Sequence, residues 1–206
     1  MDKPSNLTVI RNRIKKAHPG TVYVAVDFVN ISDKTNINAY LAVLTEQGVL
    51  HRVLRGVYYK PSYNELLKEY VAPDTDKVAQ AIARNYGWTI VPSGDTALNM
   101  LGLSTQVPAV YVYASDGAYK EYEVNNTTIQ FKKTKNRDLA KLTYKTALVV
   151  QALKTLGKEH IDNKVVSQLQ HILTAEEKGK MLTEAKTATA WIYDCIKRIC
   201  FEEIVG

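Results

Sequence analysis

Residues 27–61, DFVNISDKTNINAYLAVLTEQGVLHRVLRGVYYKP, decide how this chain is read. Asp27-Phe28-Val29 starts a short helical piece. Asn30-Ile31-Ser32-Asp33 is a polar break made of residues that favour Asx turns and N-caps. From Lys34 onward, Ile37, Leu41 and Leu44 recur at i, i+4 and i+7, which predicts a helix over 34–47 with one apolar face. Gly48 stands where a helix end takes a left-handed residue. Two β-rich runs, 49–54 and 57–60, flank Arg55-Gly56 and predict a hairpin, and Pro61 closes its second strand. Two short helices followed by a hairpin is the layout of a winged helix-turn-helix.

The face of the 34–47 helix opposite its apolar stripe begins with Lys34, Thr35, Asn36, Asn38 and Ala39. In a recognition helix this end meets base edges in the major groove, where Asn pairs with adenine and a small apolar group touches a thymine methyl. The hairpin carries His51, Arg52, Arg55 and Lys60, charges suited to phosphates beside the groove. A helical subdomain with a merely solvated polar face would show the same residues, because the helix-turn-helix pattern is degenerate. Charge distribution favours nucleic acid. Residues 1–60 hold 9 Lys/Arg against 4 Asp/Glu, a net of +5 out of +6 for the whole chain. Residues 61–135 balance at −1 and 136–206 at +2. A basic excess held mostly by one fragment is the electrostatic footprint of a nucleic-acid module.

The length of 206 residues allows two domains or one large one. Apolar content is that of a folded protein, and no apolar run reaches the length of a membrane span. The first residues lack the apolar core of a signal peptide, and Cys195 and Cys200, five apart on an expected helix, point to different faces. Two free thiols without an export signal imply a cytoplasmic setting.

Around the organising stretch, residues 6–17 predict a helix with Ile10 and Ile14 inward, and 21–24 a strand able to pair with the hairpin. Tyr63, Leu66, Leu67 and Tyr70 give residues 62–73 the pattern of a short amphipathic helical connector. Asp74 caps a helix running to Tyr86 and closed by Gly87, and a strand follows over 88–91. Ser93 is expected to cap a helix over 94–101. Strands are predicted over 107–114, 120–124 and 127–133, the last two joined at Asn125-Asn126. From Asp138 the chain reads as helical: 139–156, 161–173, and a last stretch from a Thr174/Glu177 capping box to about 203, open to one break. The fold class is α+β: an N-terminal winged helix-turn-helix over 1–61, then a mixed α/β region over 62–206 with a small sheet and a helical C-terminal part. Trp88, Val110, Val112, Leu148, Trp191 and Ile196 are expected to seed a separate core in the second part.

Chemistry-bearing motifs are missing. Ser93-Gly94-Asp95 is no Gly-rich phosphate loop, and His18, His51, His160 and His171 match no metal spacing. Lys132, Lys133, Lys135 and Arg137 read as a solvated strand end or a second anion-facing patch. The expectation is therefore no enzyme, no cofactor and no metal.

Three stretches carry a family resemblance: VDFV at 26–29 through GVLHRVLRGVYYKP at 48–61, PSGDTALNMLGLSTQVP at 92–108, and YASDG at 113–117. Over residues 6–135 the chain resembles the AbiE-type antitoxins of bacterial type IV toxin–antitoxin systems. The resemblance implies an N-terminal winged helix-turn-helix that binds double-stranded operator DNA and represses its own operon. It implies a C-terminal part that neutralises a nucleotidyltransferase-like toxin without requiring a stable complex. The DNA-binding positions it carries over are Lys34, Thr35, Asn36 and Asn38 on the helix and Arg52 and Arg55 on the wing, with Gly56 a structural turn residue. A second reading is a stand-alone protein-interaction or RNA-associated winged-helix module without antitoxin activity.

Overall fold

The computed structural model describes residues 4–134 and 141–201. The expected helix start at Asp138-Leu139, Lys135 and Arg137 of the basic run, and the tail Glu202-Glu203 lie outside the described residues. The protein is an α+β molecule of two compact units, Met1–Trp88 and Thr89–Gly206. The sequence had placed the division after Pro61.

In unit 1, α1 (Asn6–Lys16) is followed by β1 (Val22–Val24), a 3-10 turn (Ala25–Phe28), α2 (Lys34–Glu46), β2 (His51–Leu54) and β3 (Val57–Tyr59). β1 and β2 both pair antiparallel with β3, giving the order β1-β3-β2. Ile10 and Ile14 of α1, Ile37, Leu41 and Leu44 of α2, Phe28, Leu50, Tyr23 and Tyr58 form one buried cluster. Tyr23 and Tyr58 are cross-strand partners, so this cluster lies on one face of the sheet. Strand alternation sends Val22, Val24, Val57 and Tyr59 to the other face, and all four are buried. Against β1 and β3 packs α3 (Thr75–Tyr86), with Val78, Ala79, Ala81, Ile82 and Ala83 buried. The helix is capped by Asp74 and closed by left-handed Gly87, as its sequence predicts. The division falls after Trp88 because α3 covers this second face of the sheet.

Residues 62–73 are not a helix. They form a two-stranded ribbon, β4 (Ser62–Asn64) with β5 (Glu69–Val71). Local chemistry explains the change. The Asn64 side-chain carbonyl accepts from Leu66 N and Leu67 N at 3.0 and 3.1 Å, an Asx turn that competes with helix, and Lys68 takes a left-handed φ of 52°. The Tyr63 and Tyr70 rings, spaced like one face of a helix, instead meet edge-on across the strands at 5.1 Å.

Unit 2 holds β6 (Ile90–Pro92), α4 (Asp95–Met100), β7 (Val110–Ser115), β8 (Lys120–Val124) and β9 (Thr127–Lys133) in one sheet of order β6-β7-β9-β8, with β7 and β9 parallel. Four helices follow: α5 (Tyr144–Leu156), α6 (Asn163–Ile172), α7 (Ala175–Glu184) and α8 (Ala190–Cys200). The Thr174/Glu177 capping box opens α7, and the last helical stretch breaks once, at Ala185–Thr187. Leu148, Leu153, Leu169, Met181, Ile192 and Ile196 anchor the helical core.

Two details depart from the sequence reading. Gly94, not Ser93, is the N-cap of α4, with a positive φ of 59° and no side-chain cap. Val110 is 41 % exposed, whereas Tyr113 is fully buried beside its register partner Phe131. The aromatic side of β7 is therefore the more deeply buried, and Val110 lies at the strand's open end.

Candidate nucleic-acid interface

The first turn of α2 is held by its own N-cap. Asp33 Oδ1 accepts from Thr35 N and Asn36 N, each at 3.0 Å, and Oδ2 accepts from Asn36 Nδ2. The backbone N–H of Asn36, above the other donors, keeps the Asp33 carboxyl below the usual range. Lys34, Thr35, Asn36 and Asn38 are all exposed on this turn, with Ile37 buried beneath them. Asn36 has committed one of its two amide hydrogens to Asp33, which fixes the orientation of its side chain and leaves one N–H and the carbonyl. No described residue engages the Asn38 amide.

The β2–β3 hairpin turns at Arg55-Gly56, where only Gly56, at φ 80°, is left-handed. A register irregularity between Arg52 and Leu54 precedes the turn. Arg52 and Arg55 are exposed, and Arg52 Nε donates to Leu54 O at 3.2 Å, which leaves the outer guanidinium nitrogens for solvent or an anion. The structure thus gathers the four α2 positions on one exposed turn and the two arginines on one exposed hairpin.

Other basic residues of the same fragment are engaged within the unit. Lys60 Nζ donates to the carbonyls of Lys15 and Ala17 at 2.7 and 2.8 Å and so closes the C-terminus of α1. His51 packs between Tyr59 and Tyr70, with ring centroids at 5.7 and 4.4 Å. Arg11 Nη2 donates to Gln47 Oε1 at 2.6 Å. Arg13 Nη1 donates to Asp27 O at 2.8 Å, and its guanidinium lies 5.1 Å from the Phe28 ring centroid. The net charge of +5 therefore overstates the basic residues at liberty to meet phosphate.

Asp27 is the hub that the sequence did not reveal. Its Oδ2 accepts from Val24 N at 2.9 Å, and Arg84 of α3 grips both oxygens, Nε to Oδ1 at 3.1 Å and Nη2 to Oδ2 at 3.2 Å. The same Nη2 donates to Val22 O. This fork ties α3 to β1 and to the turn that leads into α2. The sequence separation of 57 between the partners leaves no local signal of the pairing.

Among the described residues, no group of three or more His, Cys, Asp or Glu is placed to hold a metal ion, and no helix is long and apolar enough to cross a membrane. Burial pushes the Cys195 and Cys200 thiols above their ordinary range, which keeps them protonated and poor nucleophiles.

These features define an α+β protein with a helix–hairpin surface of exposed polar and basic side chains. Residues 9–181 match DUF6088, a family of unknown function, and the chain belongs to that family. No curated protein matches it.

Proposed function

We propose that this protein is a DNA-binding autorepressor and the antitoxin of a type IV toxin–antitoxin pair. Unit 1 is, in this reading, a winged helix-turn-helix: the 3-10 turn and α2 form the helix-turn-helix, α2 is the recognition helix, and β2–β3 is the wing. The observation that carries the proposal is the exposed first turn of α2, with Lys34, Thr35, Asn36 and Asn38 at the surface over a buried Ile37. Asn38 makes the leading base contact, because no described residue fixes its amide, which can turn onto an adenine edge with both its N–H and its carbonyl. Asn36 keeps its carbonyl and one N–H, with its orientation set by Asp33. Arg52 and Arg55 lie on phosphates and set register without reading sequence.

The antitoxin role rests on the resemblance of the 26–61, 92–108 and 113–117 stretches to AbiE-type antitoxins, and it assigns neutralisation of a nucleotidyltransferase-like toxin to unit 2. The protein then works in the cytoplasm, as neither an enzyme nor a cofactor carrier. The test pairs duplex binding with growth rescue. The full chain should bind the duplex upstream of its own gene more tightly than random duplex. Log affinity should fall with log salt by about 0.9 per phosphate neutralised. Co-expression should restore growth of cells expressing the adjacent open reading frame. Equal affinity for both duplexes contradicts the repressor, and absence of rescue contradicts the antitoxin.

A further inference from the structure

We propose that the β4–β5 ribbon is a self-association surface through which two copies of this chain pair about a two-fold axis. The ribbon spans ten residues and leaves five large apolar side chains in solvent: Leu66 is 89 % exposed, Leu67 61 %, Tyr70 54 %, Tyr63 47 % and Val71 46 %. So dense an apolar patch on a soluble surface marks an interaction site. Among the described residues the ribbon has only two strands, so each carries an unpaired edge.

The tip is built rather than slack. The Asx turn of Asn64 fixes Leu66 and Leu67, and Lys68 holds a left-handed backbone that non-glycine residues rarely adopt. Tyr70 is wedged against His51 on one side and Tyr63 on the other, which sets the ribbon's pose on β2. Strain and pre-organisation of this kind persist where the surroundings over-determine them, and they concentrate at binding surfaces.

Charge selects the occupant. Glu65, Lys68 and Glu69 surround the leucine pair, so the tip carries both signs with an acidic balance. Phosphate backbones and anionic membranes are repelled by two carboxylates. A two-fold contact needs a patch complementary to itself, and this one is: Lys68 of each copy meets the carboxylates of the other while the leucines meet across the axis. Pairing is a property of the free protein, independent of the DNA-binding reading.

Sedimentation of the full chain without DNA, from about 1 to 100 µM, tests the proposal on a scale where micromolar constants are read directly. The wild type should move from monomer to dimer across this range. The double variant Leu66→Glu/Leu67→Glu should raise the dimer dissociation constant at least about tenfold while keeping the cooperative thermal transition. Should that variant unfold, charge reversal decides. Glu65→Lys/Glu69→Lys and Lys68→Glu should each weaken self-pairing, and mixing these two chains should restore a dimer. A wild type that stays monomeric, a dimer indifferent to the leucine variant, or charge variants that do not complement would each overturn the proposal.

Discussion

The two hairpins of unit 1, β2–β3 and β4–β5, are neighbours in the chain and opposite in character. The first has one buried strand, β3, beside a partly exposed β2, and presents two exposed arginines, Arg52 on β2 and Arg55 at the turn. The second has exposed strands and an apolar tip, Leu66 and Leu67. Both turn on a left-handed residue, Gly56 in one and Lys68 in the other. The contrast teaches that a hairpin's partner is set by what its tip leaves in water. Guanidinium groups suit phosphate, and a leucine pair suits another apolar surface.

The strongest way to break the comparison is to cut between the hairpins. A fragment of residues 1–61 keeps the basic hairpin and loses α3. Val22, Val24, Val57 and Tyr59 then lose their cover, at about 1.5–3 kcal/mol for each side chain bared. That sum is comparable with the whole stability of a domain, about 5–15 kcal/mol. The fragment should show no cooperative melt by circular dichroism, whereas residues 1–88 should melt as one unit and retain DNA binding. A folded 1–61 fragment would mean that α3 is dispensable to the sheet.

A smaller perturbation acts on the same join. Arg84→Met removes the fork on Asp27 and the bond to Val22 O. Charged hydrogen bonds of this kind contribute about 1.5–3 kcal/mol. The Arg84 side chain is 45 % exposed, so solvent screening lowers the expectation to about 1–2 kcal/mol. The urea midpoint of residues 1–88 should fall accordingly. Arg84→Lys should recover little, because an ammonium cannot span both Asp27 oxygens in a fork. An unchanged midpoint in the Met variant would reduce the fork to a surface pair without weight.

Much of the fold was legible in the sequence because local rules agreed with the tertiary result. The Ile37, Leu41, Leu44 stripe, the Asp74 cap with Gly87, the Thr174/Glu177 box and the β8–β9 hairpin all stand where their residues predict. The ribbon was misread because Tyr63, Leu66, Leu67 and Tyr70 fit a helical period equally well, and neither the Asx turn nor the φ of Lys68 is visible in a hydrophobic pattern. The domain boundary was misplaced because the need for α3 arises from an alternation across two separated strands. Within the candidate interface, the exposed residues were found by position on the helix. The engagement of Lys60, His51, Arg13 and Asn36 was hidden, since each depends on a partner brought in by folding or, for Asn36, on the orientation of the cap.

The central claim is that α2 reads bases while the β2–β3 tip contacts phosphates. It is tested most directly by measuring affinity of Asn38→Ala and Arg55→Ala for the upstream duplex and for single-base variants of it, across a salt series. Asn38→Ala should lose about 1–3 kcal/mol on the native site and little on duplexes altered at one base pair, with an unchanged salt slope. Arg55→Ala should weaken binding to every duplex alike and reduce the slope by about 1. If both variants lose affinity uniformly and lower the slope equally, α2 is not the base-reading helix.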